Sequence, residues 1–269
     1  MRRKIARLRA LRVRKFAASL PLSLSLAAFF VASPAAGVVG PSVEASAFAD
    51  RVVMVLTRGP EGSGLCTGIV LTPRIVLTAA HCLRAPAEMR IHFRDASGQP
   101  VLIEVAATLA HPDFHADAAA RRTRSIDIGL IETNQALPDA FRPATLAEGD
   151  PPEPGAAVVV AGFGVSREGE WKSGGRLAAA KLRVREPRSR VLLWVAPAEG
   201  DSGACAGDSG GPIFADDENT VVAIVAWTEG RAKAKCGSLT QGVLVAPVAD
   251  WIGAAMRRLD AGIAAKSGG

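Results

Sequence analysis

Past residue 32 the chain has no apolar run long enough to cross a bilayer, and no segment of it repeats another. This excludes a protein with several membrane helices and any repeat architecture. Cysteine and histidine are scarce, at four residues each. Neither set shows the spacing of a metal site, and the segment after His81 holds no calcium loop, so no metal is expected. A lasting positive charge is missing too. The formal net charge is +6, but the first 37 residues carry eight Lys or Arg and no acid. Taking those eight from the 32 basic residues leaves 24 against 26 acidic ones, a net charge of −2. The rest of the chain is near neutral, which removes the electrostatic argument for nucleic acid as a partner.

What is present suits a folded, turn-rich protein: 49% apolar residues, 22% charged, 27 glycines and 17 prolines in 269 residues. That length accommodates one large domain or two small ones. The N-terminus reads as an export signal, with a basic stretch from Arg2 to Lys15 and an apolar stretch from Phe16 to Ala32. Ala35 and Gly37 then stand three and one residues before a cut at Val38, so residues 1–37 form the signal and 38–269 the mature domain. The alternatives are an uncleaved anchor, and cleavage after Ala47 in Ala45-Ser46-Ala47. Export leads to the periplasm or beyond, where four cysteines can form two disulfides. Spacing alone leaves three pairings open.

Short β-branched runs separated by turn residues predict strands at 51–57, 67–71, 75–78, 89–93, 101–109 and 127–132. A Pro- and acid-rich linker at 137–155 follows, where proline excludes a central strand. A second set is predicted at 157–161, 177–185, 191–195, 212–215, 221–227 and 242–246. Two sets of six predict an all-β fold of two antiparallel barrels, at about 50–136 and 156–247. Val248, Trp251, Ile252, Ala255, Met256 and Leu259 recur at helical spacing, predicting a C-terminal helix over about 248–265 that packs on the second barrel.

Three local sequences carry the chemistry. Gly207-Asp208-Ser209-Gly210-Gly211-Pro212 sets one serine among small residues. Upstream lie Leu77-Thr78-Ala79-Ala80-His81-Cys82 and Ser125-Ile126-Asp127-Ile128. A serine hydroxyl is a poor nucleophile until a base takes its proton and donors stabilise the oxyanion. An aspartate between isoleucines is costly to bury without a partner, and His81 is the natural one. His92, His111 and His115 read as surface or loop residues, and Arg121, Arg122 and Arg124 as solvated loop charges.

With histidine, aspartate and serine in that order, nearly the whole chain from Val38 onward resembles the trypsin/chymotrypsin family of serine endopeptidases. The resemblance implies two barrels with the active site between them, and hydrolysis through an acyl-enzyme with no cofactor. His81 would be general base, Asp127 its orienter and Ser209 the nucleophile. The N–H groups of Gly207 and Ser209 would form the oxyanion hole. It selects the pairings Cys66–Cys82 and Cys205–Cys236. It also implies that a new amino terminus at Val38, in Val38-Val39-Gly40, inserts beside Asp208. Pro41 departs from the family's start, and Ala226 replaces a serine that usually supports the aspartate. By alignment, Gly203 and Ala204 lie at the floor of the specificity pocket, with Trp227, Thr228 and Gly242 around it. An uncharged floor and a β-branched residue at the entrance favour small or medium aliphatic residues before the scissile bond. Asp201 or Glu229 could instead recruit Arg or Lys. The expected partner is a protein or peptide substrate, with a protein inhibitor as a further candidate. The chain is expected to be monomeric and, after signal removal, free of the membrane. A catalytically silent homologue used for binding is the alternative from another functional class.

Overall fold

The computed structural model describes residues 38–43, 45–60, 62–83, 88–121 and 123–267. The expected signal at 1–37 and Arg122 lie outside them. Six strands form the first set: β1 (Val52–Gly59), β2 (Gly62–Val70), β3 (Ile75–Thr78), β4 (Glu88–Arg94), β5 (Pro100–Ala110) and β6 (Gly129–Thr133). They close into a barrel in the order β1-β2-β3-β6-β5-β4, completed by the pairing of β1 with β4. A one-turn helix, α1 (Ala118–Arg121), lies between β5 and β6.

β4 shows a half-buried strand's alternation, with Met89, Ile91 and Phe93 buried between more exposed neighbours. β3 and β6 are buried along their whole length, because both of their faces are covered. Val76 and Ile131 fill the first barrel. Ile75, Leu77 and Leu130 pack in a cluster with Val159, Phe214 and Ile252 from the second half of the chain. Two covered faces explain why these strands are continuous apolar runs.

The second set contains β7 (Thr145–Leu146), β8 (Ala157–Gly162), β9 (Ala178–Arg185), β10 (Leu192–Ala196), β11 (Pro212–Ala215), β12 (Thr220–Glu229) and β13 (Leu239–Leu244). β8 to β13 close a second six-stranded barrel through the β11–β12 pairing. Val160, Leu182, Val184, Val195, Ile213 and Val225 are among its interior. The helix α2 (Ala249–Ser267) ends the described chain, and buries Ile252, Ala255 and Leu259.

The all-β fold of two barrels and a terminal helix is as expected, with local corrections. The linker contains the two-residue strand β7, which pairs in parallel with β12 at the sheet margin and leaves the exclusion of a central strand intact. Its two residues, Thr145 and Leu146, lie clear of the prolines that exclude a strand on either side. The strand expected from Asp127 begins at Gly129, and that expected from Gly242 begins at Leu239.

Candidate active site

Ile126 and Ile128 are both in the core, and they hold Asp127 between them. His81 stands on a single 3-10 turn, Ala80–Leu83, directly after β3, with buried Ala79 and Ala80 before it. The two residues meet through two hydrogen bonds. The His81 backbone N–H donates to Asp127 Oδ1 at 2.8 Å, and His81 Nδ1 lies 2.6 Å from Asp127 Oδ2. An ionised carboxylate can only accept, so the proton sits on Nδ1 and the Nε2 lone pair is left for another group.

Ser209 is half-buried and lines a cleft of about 720 Å³. Its carbonyl accepts from the Thr67 N–H at 2.8 Å and lies 3.9 Å from Cys82 Sγ, beside His81. Gly207 has φ +99°, and a Cβ there would stand 2.8 Å from the Gly164 backbone and 3.1 Å from the Leu65 side chain. Gly210, at φ +80°, would drive a Cβ into Thr78, the Thr67 carbonyl and the Ala79 amide. The tight turn around Ser209 therefore requires glycine on both sides.

Thr67 holds that turn from the other barrel. It is completely buried on β2, and its hydroxyl donates to the Gly207 carbonyl at 2.9 Å. The same oxygen accepts from the Phe163 N–H at 3.1 Å. Sequence reasoning missed Thr67, because nothing local links it to residues roughly a hundred positions away.

Asp208 is fully buried. Its carboxylate accepts from the N–H groups of Gly164 at 2.7 Å and Cys205 at 2.8 Å, and from that of Val38. Burial pushes its pKa up from 3.8 to about 7, against the downward pull of the Cys205, Gly164 and Val38 amides. A side chain at Gly162 or Gly164 would collide with this carboxylate, which gives Gly162-Phe163-Gly164 its reason. That signal was in the sequence but had no partner to interpret it. Val38 is buried, and Val39 exchanges two backbone hydrogen bonds with Gly203 at 3.0 and 3.1 Å.

Both disulfides, Cys66–Cys82 and Cys205–Cys236, are formed. The first approaches His81 closely, but its sulfurs are covalently joined and offer no thiolate to a metal. Ala226 borders the cleft, and its methyl group can donate no hydrogen bond. His92 Nδ1 is paired with the Val101 carbonyl at 2.8 Å. His111 packs on Trp251 of α2 at 4.7 Å, and burial leads the lowering of its pKa.

The pocket residues divide. Trp227, Thr228 and Ala226 line the cleft with Ser209. Gly203 and Ala204 pack against buried Thr240, whose hydroxyl accepts from the Ala204 N–H at 3.1 Å and would be 3.0 Å from a Cβ on Gly203. Gly242 is not on the cleft wall. Its open side faces Ile213 and Ala223 in the second barrel. A bulge between Val225 and Trp227 shifts the β12–β13 register, so Thr228 stands opposite Thr240 while Val225 faces Gly242. The expected strand began too late to reveal this. Of the two acids considered for binding a cation, Asp201 pairs with Arg231 at 3.2 Å, and Glu229 is exposed at the end of β12.

The family model described as Trypsin matches residues 38–252. Trypsin delta of Drosophila erecta is 29% identical over 189 residues, covering 64% of this chain and 71% of its own. Among solved structures, mouse neuropsin, described as a serine protease, superposes with a TM-score of 0.63 at 21% identity. That match covers 78% of this chain and 96% of neuropsin. An inactivated protease paralogue of the scabies mite gives a TM-score of 0.64 at 20% identity, covering 81% and 99%. Identities this low in the two structures speak for the fold alone. The family match spans most of the chain and contains both barrels with the His81–Asp127 pair and the Ser209 turn between its ends. The chain belongs to the trypsin family of serine endopeptidases.

Proposed function

We propose that this protein cleaves peptide bonds through Ser209, with His81 as general base and then general acid, and Asp127 as its orienting carboxylate. The Ser209 Oγ adds to the scissile carbonyl while its proton moves to His81 Nε2. His81 then protonates the leaving amine, which departs and leaves an acyl-enzyme. Water, deprotonated by the same imidazole, releases the acid and restores Ser209. The Gly207 and Ser209 N–H groups are the donors assigned to the oxyanion. The observation that carries the reading is the double hydrogen bond between His81 and Asp127, which leaves Nε2 as the available base. A fluorophosphonate probe tests it. Wild type should be labelled and Ser209→Ala should not, whereas equal labelling of both refutes the assignment. A wild type that resists the probe would favour a silent homologue used for binding; the scabies mite paralogue is described as inactivated.

The substrate preference proposed is for a small or medium aliphatic residue before the scissile bond. Thr228 lines the cleft and lies opposite Thr240 across β12 and β13, and Thr240 packs on Gly203. Asp201 is already engaged by Arg231, which weakens the case for Arg or Lys. The mature chain proposed begins at Val38, exported and monomeric. Two disulfides support an oxidising destination, and among the described residues no helix is long and apolar enough to cross a membrane. N-terminal sequencing of the exported enzyme tests the start. Fully active protein beginning at Phe48 would exclude it.

A further inference from the structure

Among the described residues, the large apolar side chains left in water are Val43, Leu102, Trp171 and Trp227. Both tryptophans border the cleft that contains Ser209. Trp227 belongs to β12 and already serves as a pocket wall. Trp171, at 61% exposure, is not explained by the proposed reaction. An indole in water forgoes a large burial gain, so its position on a cleft calls for a ligand.

The loop from β8 to β9 holds this ring out deliberately. Ser173, itself buried, accepts from the Arg167 N–H at 3.0 Å and donates to the Glu170 carbonyl at 2.7 Å. The Gly175 N–H returns to the Phe163 carbonyl at 2.8 Å. Glu168 accepts from the Lys235 N–H at 2.8 Å, tying the loop to a second segment that lines the same cleft. The backbone under Trp171 is thus tied down before any ligand arrives, which lowers the entropy lost on binding. The rim's carboxylates are occupied, Glu168 by that amide and Glu170 by Arg167 at 2.7 Å. What remains free on this wall is the apolar face of the ring.

We propose that Trp171 forms a second apolar subsite. It takes an aliphatic or aromatic side chain of the peptide substrate, other than the residue before the scissile bond. The occupant is a substrate segment because Trp171 and Ser209 line one continuous cleft, larger than a single small side chain needs. The proposal rests on Ser209 as nucleophile, and its test separates the two.

Two substrates are compared. An N-acetyl-alanine methyl ester carries a side chain only for the pocket beside Ser209, and its methanol leaving group is too small to fill another subsite. A fluorogenic peptide set holds alanine before the scissile bond and varies each flanking position through Gly, Leu and Phe. Wild type should favour Leu or Phe over Gly at one flanking position. Trp171→Ala should lower kcat/KM for those favoured peptides about tenfold, and leave the Gly peptides and the ester unchanged. Trp171→Phe should keep most of the preference. The ester rate also reports that the variants fold. Equal loss on ester and peptides, or no loss on either, overturns the subsite while Ser209 stands. A wild type inert to ester, peptide and fluorophosphonate overturns both. A dimer seen by sedimentation that Trp171→Ala dissolves assigns the ring to self-association and overturns the subsite.

Discussion

At the residue scale, the Asp127 carboxylate does two things at once. One oxygen holds the His81 backbone and the other holds its ring. Asp127→Asn should keep the backbone bond through its amide oxygen, but it presents an amide where Nδ1–H needs an acceptor. Turnover should fall by several powers of ten with little change in KM or melting temperature, as should that of His81→Ala. Steady-state kinetics on a peptide substrate check this, and near-normal kcat in either variant refutes the mechanism. Thr67 offers a second test. Thr67→Val keeps the shape but leaves the buried Gly207 carbonyl and Phe163 amide without their hydroxyl partner. We expect a stability loss of about 1–3 kcal/mol in urea titration, with a drop in kcat, and recovery of both in Thr67→Ser. A Thr67→Val protein as stable and active as wild type would show that those two bonds carry no weight.

At the scale of elements, β12 supplies Ala226, Trp227 and Thr228 to the cleft that Ser209 lines. The bulge after Val225 brings Thr228 opposite Thr240. Thr228→Gly should therefore extend cleavage to larger residues before the scissile bond, read as a rise in kcat/KM for Phe or Leu substrates relative to Ala. A preference for Arg that Asp201→Ala removes would replace the aliphatic reading. The Cys205–Cys236 bridge closes a segment with a sequence separation of 31 beside this pocket. Replacing both cysteines with alanine should lower stability by about 3–4 kcal/mol in the chain-entropy model. The Cys66–Cys82 pair, with a separation of 16, should contribute about 3 kcal/mol. Denaturant midpoints of the two double variants compare them.

At the scale of the molecule, distant segments are joined at a few buried polar points. Arg51, just before β1, reaches the Asn219 side chain at 3.0 Å and lies over the stacked rings of Phe48 and Phe214. It thereby ties the start of the first barrel to the β11–β12 hairpin of the second. Asp208 does the same for the segment at Val38, and it carries a pH signature. In the continuous chain the folded carboxyl keeps its proton up to about pH 7, while the unfolded chain gives it up near 4. Between those values the folded state binds more protons, so stability is greatest below the window and falls as pH rises through it. The total is on the order of 4 kcal/mol. A cut before Val38 leaves an ammonium beside the carboxylate, which lowers that pKa and removes the fall. Urea midpoints of Ser209→Ala protein, with and without residues 1–37, should diverge between pH 4.5 and 8. Parallel curves would show that Asp208 does not sense the new terminus.

By itself the sequence determined the β class and the terminal helix, and it offered the residues proposed for the triad. Those signals are local, namely period-two alternation, an i, i+3, i+4 apolar stripe, and short motifs whose neighbours are small for steric reasons. Pairing of the four cysteines followed from family resemblance, because spacing alone left three choices. The tertiary structure alone decided what depends on packing across the chain. It brought Thr67 to Gly207, Gly162 and Gly164 to Asp208, and His111 to Trp251. It also set Thr228 opposite Thr240 and Val225 opposite Gly242, because a one-residue bulge changes register without leaving a mark in composition or periodicity. Trp171 reads in the sequence as one more apolar residue. Only the folded loop, tied down by Ser173 and Glu168, leaves its ring in water at the edge of the cleft.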